Sequence, residues 1–94
     1  MRTVNAVGVF SKPNIAEAHQ IVPALLDWLH ARGVAARIDE QTAKYAGRTD
    51  ALEREELVEG TQLEIVLGGD GTLLAAARAV GPRAIPILDR KSVV

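Results

Sequence analysis

Apolar and polar positions alternate along this chain with two different periods, and each change of period marks an element. Val4 to Phe10 (VNAVGVF) is an almost unbroken apolar run rich in β-branched residues, which predicts a first strand. Ser11-Lys12-Pro13-Asn14 reads as a turn. From Ile15 to Ala31 the residues Ile15, Ala18, Val22, Leu25, Leu26 and Leu29 form one stripe at helical spacing. Asn14 is placed to cap that helix, with Glu17 completing a capping-box-like pair. Pro23 lies inside it and predicts a kink or a break, since an interior proline costs ~3 kcal/mol. Gly33 stands where a helix end needs a left-handed residue.

Val34 to Ile38 predicts a second strand, and the polar stretch Asp39 to Thr49 a loop. Asp50 to Val58 predicts a short acidic helix capped by Asp50, with Glu53 at its third position and Gly60 ending it. Leu63 to Leu67 (LEIVL) is a third strand. A glycine-rich turn follows, then a helix from Thr72 to Val80 stopped by Gly81-Pro82. Ala84 to Leu88 (AIPIL) is a fourth strand. Strands alternating with helices predict an α/β fold, a Rossmann-like three-layer half-domain with a mostly parallel sheet of about four strands. In such sheets ligands gather beyond the carboxyl ends of the strands.

Composition narrows this picture. At 94 residues the chain is one small domain. It is 48% hydrophobic and 24% charged, as ordered domains are, and its three aromatics leave the core to aliphatic side chains. Eleven basic against twelve acidic residues give a net charge of -1, so no basic excess points to nucleic acid or a membrane surface. Without cysteine there is no disulfide, thiolate metal site or thiol nucleophile. No apolar run approaches the ~18 residues that span a bilayer, and no signal-peptide pattern opens the chain. A cytoplasmic protein is the simplest reading.

The candidate chemistry lies in Gly68-Gly69-Asp70-Gly71-Thr72, between the third strand and the last helix. Glycines let backbone N–H groups approach a ligand closely, and the start of the next helix adds its positive dipole end and free N–H groups. That combination suits a phosphate or pyrophosphate. Thr72 is placed to cap the helix with its hydroxyl. Asp70 would repel phosphates if it only bound them, so it reads as a general base towards a hydroxyl, or as a group oriented to a ribose hydroxyl or Mg²⁺. The plain alternative is a strand-to-helix turn in which Asp70 makes a local hydrogen bond. A given five-residue string of this kind arises by chance in ~1 of 10⁴ chains this long, which favours the functional reading. The turn is neither the G-x-G-x-x-G fingerprint nor a P-loop, because the first strand-helix turn has no glycine and no Gly-Lys-Ser/Thr follows.

A GGDGT turn after an apolar strand resembles NAD kinases, lipid (diacylglycerol and sphingosine) kinases and 6-phosphofructokinases. Val7 to Asn14, Asp27-Trp28-Leu29 followed by Arg32-Gly33-Val34, Gly68 to Arg78 (GGDGTLLAAAR) and Ile85 to Leu88 resemble the bacterial NAD kinase form. The Asn-Pro first turn of lipid kinases and the glycine-rich first turn of phosphofructokinases are missing. The resemblance covers about Val4 to Leu88. It implies that Asp70 is the catalytic base activating the 2′-hydroxyl of the adenosine ribose of NAD. It also implies that Gly68, Gly69, Asp70, Gly71 and Thr72 face the nucleotides, with Gly71 contacting NAD. ATP or polyphosphate would be the donor, with a divalent cation such as Mg²⁺ and no protein metal site. The intact family member would be a homo-oligomer.

The Gly-Val-Asn loop, the Asn-Glu/Asp motif and the β-rich C-terminal domain of the family have no counterpart in this sequence, so the chain alone is expected to be inactive. Residues 1–88 read as the N-terminal α/β domain. Asp89 to Val94 depart from the family and are similar to a translated sequencing adapter, so residues 89–94 read as a tail foreign to it. The alternatives are a lipid-kinase-like catalytic domain and an inert chain with weak nucleotide binding.

Outside the turn, Lys12 reads as a solvated turn lysine, with an approach to a donor phosphate as the alternative. Asp39 and Glu40 read as a solvated loop pair at the ligand edge, and Arg78 as a surface residue. Glu53, Glu55, Glu56 and Glu59 form a solvated acidic face. His19 is a helix-face residue, and His30 a favourable charge near a helix C-terminus. Trp28 with Leu25, Leu26 and Leu29 reads as core or interface.

Overall fold

A computed structural model describes residues 3–90. Four strands, β1 (Ala6–Ser11), β2 (Ala35–Ile38), β3 (Leu63–Leu67) and β4 (Ile87–Arg90), form one sheet in the order β2-β1-β3-β4. Every pairing is parallel, with Val9 opposite both Ile38 and Ile65, and Ile65 opposite Leu88. The chain steps from β1 to one neighbour and then to the other. The carboxyl ends of β1 and β3 therefore flank the switch point where open α/β sheets bind ligands.

Four helices, α1 (Ala18–Ala31), α2 (Glu40–Ala46), α3 (Arg54–Leu57) and α4 (Asp70–Val80), cover the two faces. The strand period of two sorts the core. Val7, Val9, Ile65 and Leu67 face α1 and α2, joining Val22, Leu26, Leu29, Ile38, Ala43 and Tyr45. Phe10 and Val66 face the other way, joining Leu57 and Val58 at α3 and Ala76, Ala79 and Val80 on α4. The expected three-layer α/β architecture is present, with the sheet wholly parallel.

Several boundaries differ from those the sequence predicts. Helix α1 begins at Ala18, not Ile15, because Asn14 takes a left-handed conformation (φ 64°) and cannot act as the cap; Glu17 precedes the helix without a capping bond. Pro23 neither splits nor ends α1. It removes one backbone hydrogen bond, while Val22, Leu26 and Leu29 still hold the same face in the core. The polar stretch expected as a loop contains α2, which Asp39 caps by accepting the Thr42 N–H at 3.0 Å. Asp50 caps nothing: it pairs with Arg48, and the acidic helix shrinks to Arg54–Leu57. Strand β4 runs from Ile87 to Arg90, not Ala84 to Leu88, so Asp89 and Arg90 pair with Val66 and Leu67. The remainder of the expected tail, residues 91–94, lies outside the described residues. Trp28 is 52% exposed beneath the Arg32 guanidinium, 3.7 Å from its ring centre, and is not a core residue. No helix among the described residues is long and apolar enough to cross a membrane.

Candidate functional site

The Gly68–Thr72 turn leaves the carboxyl end of β3 at the switch point. Gly68 is buried, with φ +139° and its N–H bonded to the Arg90 carbonyl at 3.2 Å. A Cβ here would sit 2.3 Å from the Cβ of Lys12. Gly68 is therefore required by the fold on two counts, backbone conformation and the close passage of the β1–α1 loop.

The other two glycines are under no such demand. Gly69 is extended (φ -101°, ψ -169°) and precedes α4 as its N-cap. A Cβ on it would meet only the end of the Lys12 side chain, with Nζ at 3.6 Å, and one on Gly71 would meet nothing within 4 Å. Glycine inside a helix costs about 0.8–1.0 kcal/mol relative to alanine. The lack of side chains at both positions leaves bare backbone exposed beside the N-terminus of α4.

Helix α4 starts two residues earlier than the sequence predicts, at Asp70, and its first hydrogen bond joins the Leu73 N–H to the Gly69 carbonyl at 3.1 Å. The expected capping role of Thr72 is overturned: it is the third residue of the helix and half-buried, and the cap position belongs to Gly69. The Asp70 side chain is exposed, in the first turn of α4. A carboxylate there is favoured by the helix dipole, by about 0.3–1 kcal/mol. Asp70 forms no ion pair among the described residues.

Facing the turn is the loop after β1. Its Lys12 N–H bonds to the Leu67 carbonyl at 2.8 Å. The Lys12 carbonyl accepts from the Tyr45 hydroxyl at 2.5 Å, and that hydroxyl oxygen in turn accepts the Ile15 N–H at 3.2 Å. Between loop and turn lies an open crevice of about 460 Å³ lined by Lys12, Asn14, Ile15, Ala16, Glu17, Gly68 and Gly69.

The end of β1 is fixed in turn by a buried polar network. Asp39 Oδ1 accepts from both the N–H and the hydroxyl of Thr42, at 3.0 and 2.6 Å, while its Oδ2 accepts the Ser11 N–H at 3.4 Å. Ser11 Oγ and Thr42 Oγ1 lie 2.6 Å apart. Asp39, expected as a solvated loop residue, is 4% exposed with both oxygens engaged; Glu40 is exposed as expected. Tyr45, Thr42 and Ser11 were not singled out by sequence. The available signal was the Asp39–Thr42 spacing, a cap residue followed three positions later by its partner.

Arg78 lies exposed in the last turn of α4, away from the turn at the helix start. No group of three or more His, Asp or Glu side chains among the described residues is placed to hold a metal ion.

Chemically, the site combines open backbone N–H groups at a helix start, an exposed carboxylate one residue beyond the bare Gly69, and a crevice with a cation on its wall. Such an arrangement suits a phosphorylated ligand whose hydroxyl approaches Asp70.

Residues 7–89 match the model of the ATP-NAD kinase N-terminal domain. The NAD kinase of Solibacter usitatus is 52% identical over 87 residues, covering 93% of this chain and 30% of that protein. The NAD kinase of Koribacter versatilis is 44% identical over 86 residues, covering 90% of this chain and 30% of its own length. The crystal structure of yeast NADH kinase complexed with NADH superposes with a TM-score of 0.75 at 19% identity, over 97% of this chain and 30% of that one. At that identity the superposition speaks for the fold. The chain spans about 30% of the length of the relatives it matches.

Proposed function

The chain belongs to the ATP-NAD kinase family, and on that premise we propose that it supplies the phosphate-facing part of a kinase that makes NADP from NAD. A phosphoryl group passes from ATP, or from inorganic polyphosphate, to the 2′-hydroxyl of the adenosine ribose. Asp70 takes the hydroxyl proton as the oxygen attacks the terminal phosphorus, and ADP or the shortened polyphosphate leaves. Gly69, Gly71 and Thr72 present backbone to the phosphates, and Gly68, whose own N–H is tied to the Arg90 carbonyl, shapes the turn beneath them. A divalent cation such as Mg²⁺, bound with the donor, would supply neutralisation of the phosphate charge. The complete enzyme is a cytoplasmic homo-oligomer.

One observation carries this reading. Asp70 is exposed on the first turn of α4, at the switch point, next to two glycines that the fold itself does not require. General-base help of this kind contributes roughly 10²–10⁴ in rate.

The test places residues 1–88 of this chain in the Solibacter NAD kinase in exchange for the matching segment. The chimera is expected to form NADP from NAD and ATP, and Asp70→Asn to lower that rate by roughly 10²-fold or more. An Asp70→Asn chimera as active as its parent removes the base assignment. The 94-residue chain assayed alone is expected to turn over no NAD.

A further inference from the structure

We infer that Lys12 is a phosphate-binding residue of this site, holding its ammonium against the condensed phosphate that lies over Gly69. The inference deepens the reading of the Gly68–Thr72 turn and rests on it. Lys12 belongs to a different element, the loop after β1, and its position is fixed from three sides. Its N–H is tied to Leu67 on β3, its carbonyl to the buried Tyr45, and its Cβ packs where Gly68 has no side chain. An exposed lysine in a solvated turn needs none of these restraints.

The restraints direct the side chain across the turn. A Cβ built on Gly69 would lie 3.6 Å from Nζ and 3.8 Å from Cδ of Lys12, so the stem runs along the turn and the ammonium ends over bare backbone. Lys12 makes no ion pair among the described residues, although Glu17 lines the same crevice and Asp70 follows Gly69 directly. An unpaired ammonium held beside exposed N–H groups is a point charge with three donors, which suits phosphate oxygens without demanding planar geometry. The ligand class is a di- or triphosphate. It can come from the donor chain or from the bridging pyrophosphate of the acceptor dinucleotide.

The test is a titration of the ¹⁵N-labelled 94-residue chain, followed by its amide signals, with tripolyphosphate, ATP and NAD in separate arms. Tripolyphosphate or NAD is expected to move the signals of Gly68 to Thr72 saturably, and Lys12→Gln to weaken that binding by at least about fivefold, while Lys12→Arg stays within about twofold. Both variants should melt within about 3 °C of the parent, as exposed substitutions do. Dependence on Lys12 in the tripolyphosphate and ATP arms assigns it to the donor, and dependence in the NAD arm alone to the acceptor; either supports the inference. Shifts at the turn that Lys12→Gln leaves unchanged overturn the inference while the turn keeps its role. No shift at the turn in any arm removes the phosphate reading of the turn, and the inference with it.

Discussion

Replacing Glu64 with glutamine is expected to stabilise this protein at neutral pH and to leave it unchanged in acid. Glu64 is fully buried on β3, in the row Arg37–Gly8–Glu64–Ile87 that crosses all four strands. Its side chain fits because Gly8 has none: a Cβ there would fall 1.9 Å from Glu64 Oε1. Oε1 has no hydrogen-bond partner among the described residues. Oε2 lies 2.6 Å from Thr61 Oγ1, which is itself 2.7 Å from the Val58 carbonyl. Thr61 has one proton, and the carbonyl can only accept. Both contacts are satisfied together only when Glu64 is the neutral acid, donating to Thr61, which donates to Val58.

Burial, the largest influence, likewise pushes the Glu64 carboxyl above its ordinary value of 4.5. A raised folded-state value means that the folded chain binds the proton more tightly than the unfolded chain. The stabilisation is therefore full below about pH 4.5 and is lost as pH rises through the folded value, at no more than about 1.36 kcal/mol per pH unit. Glutamine offers the same shape, with an N–H in place of the acid O–H and no charge to desolvate. The gain at pH 7 should match the cost of a buried unsatisfied polar group, roughly 1–3 kcal/mol. At ~4–8 °C per kcal/mol for a domain of this size, that is a rise of roughly 4–24 °C in melting temperature. Urea melts of both proteins at intervals from pH 4 to 8 isolate the effect, since the other titrating groups cancel in the difference. A pH-independent difference, or a variant less stable at pH 7, refutes the neutral-acid argument.

The glycines of the turn should part company on mutation. Gly68→Ala meets Lys12 and a positive φ, and should cost about 2 kcal/mol or more in thermal melts. Gly71→Ala should gain up to about 1 kcal/mol there, yet weaken NAD or tripolyphosphate binding by calorimetry if the bare backbone meets the ligand. Tyr45→Phe keeps the buried ring but loses both hydroxyl contacts to the β1–α1 loop. A loss of about 1–2 kcal/mol is expected, with faster hydrogen exchange at the Ile15 amide, which exchange spectra measure directly.

The elements that sequence placed best are those whose pattern had no competing local signal. Leu63–Leu67 was placed without error because a run of β-branched and aliphatic residues ends at glycine on its carboxyl side. The turn after it was legible as chemistry because glycine, aspartate and a helix start rarely coincide. Helix α2 was missed although its cap, Asp39, and its left-handed terminator, Gly47, both stood in the sequence. Its seven residues carry too few apolar positions to show a period, and its stability comes from burying Thr42, Ala43 and Tyr45 against other elements. Asn14 was misread for a related reason: the residue type that caps helices also tolerates positive φ, and only the path of the loop decides between the two.

What sequence left hidden is mostly what joins distant positions. Nothing local marks Glu64 as buried, because the space it fills is created fifty-six residues earlier by Gly8. Nothing local ties Lys12 to Gly69 or Tyr45 to Lys12, since the parallel sheet brings their elements together only after two crossovers in the first case and one in the second. The turn itself reads directly from five adjacent residues. Its surroundings, which decide whether those residues meet a phosphate in the right place, depend on the register of β1 against β3. A shift of that register by one residue would exchange the two core faces, turn Glu64 and Phe10 to the wrong side, and carry Lys12 away from Gly69. The apolar pattern that builds the core thus also places the charged group of the crevice. For that reason substitutions in the cores flanking β1 and β3 should disturb phosphate binding at the turn without touching it.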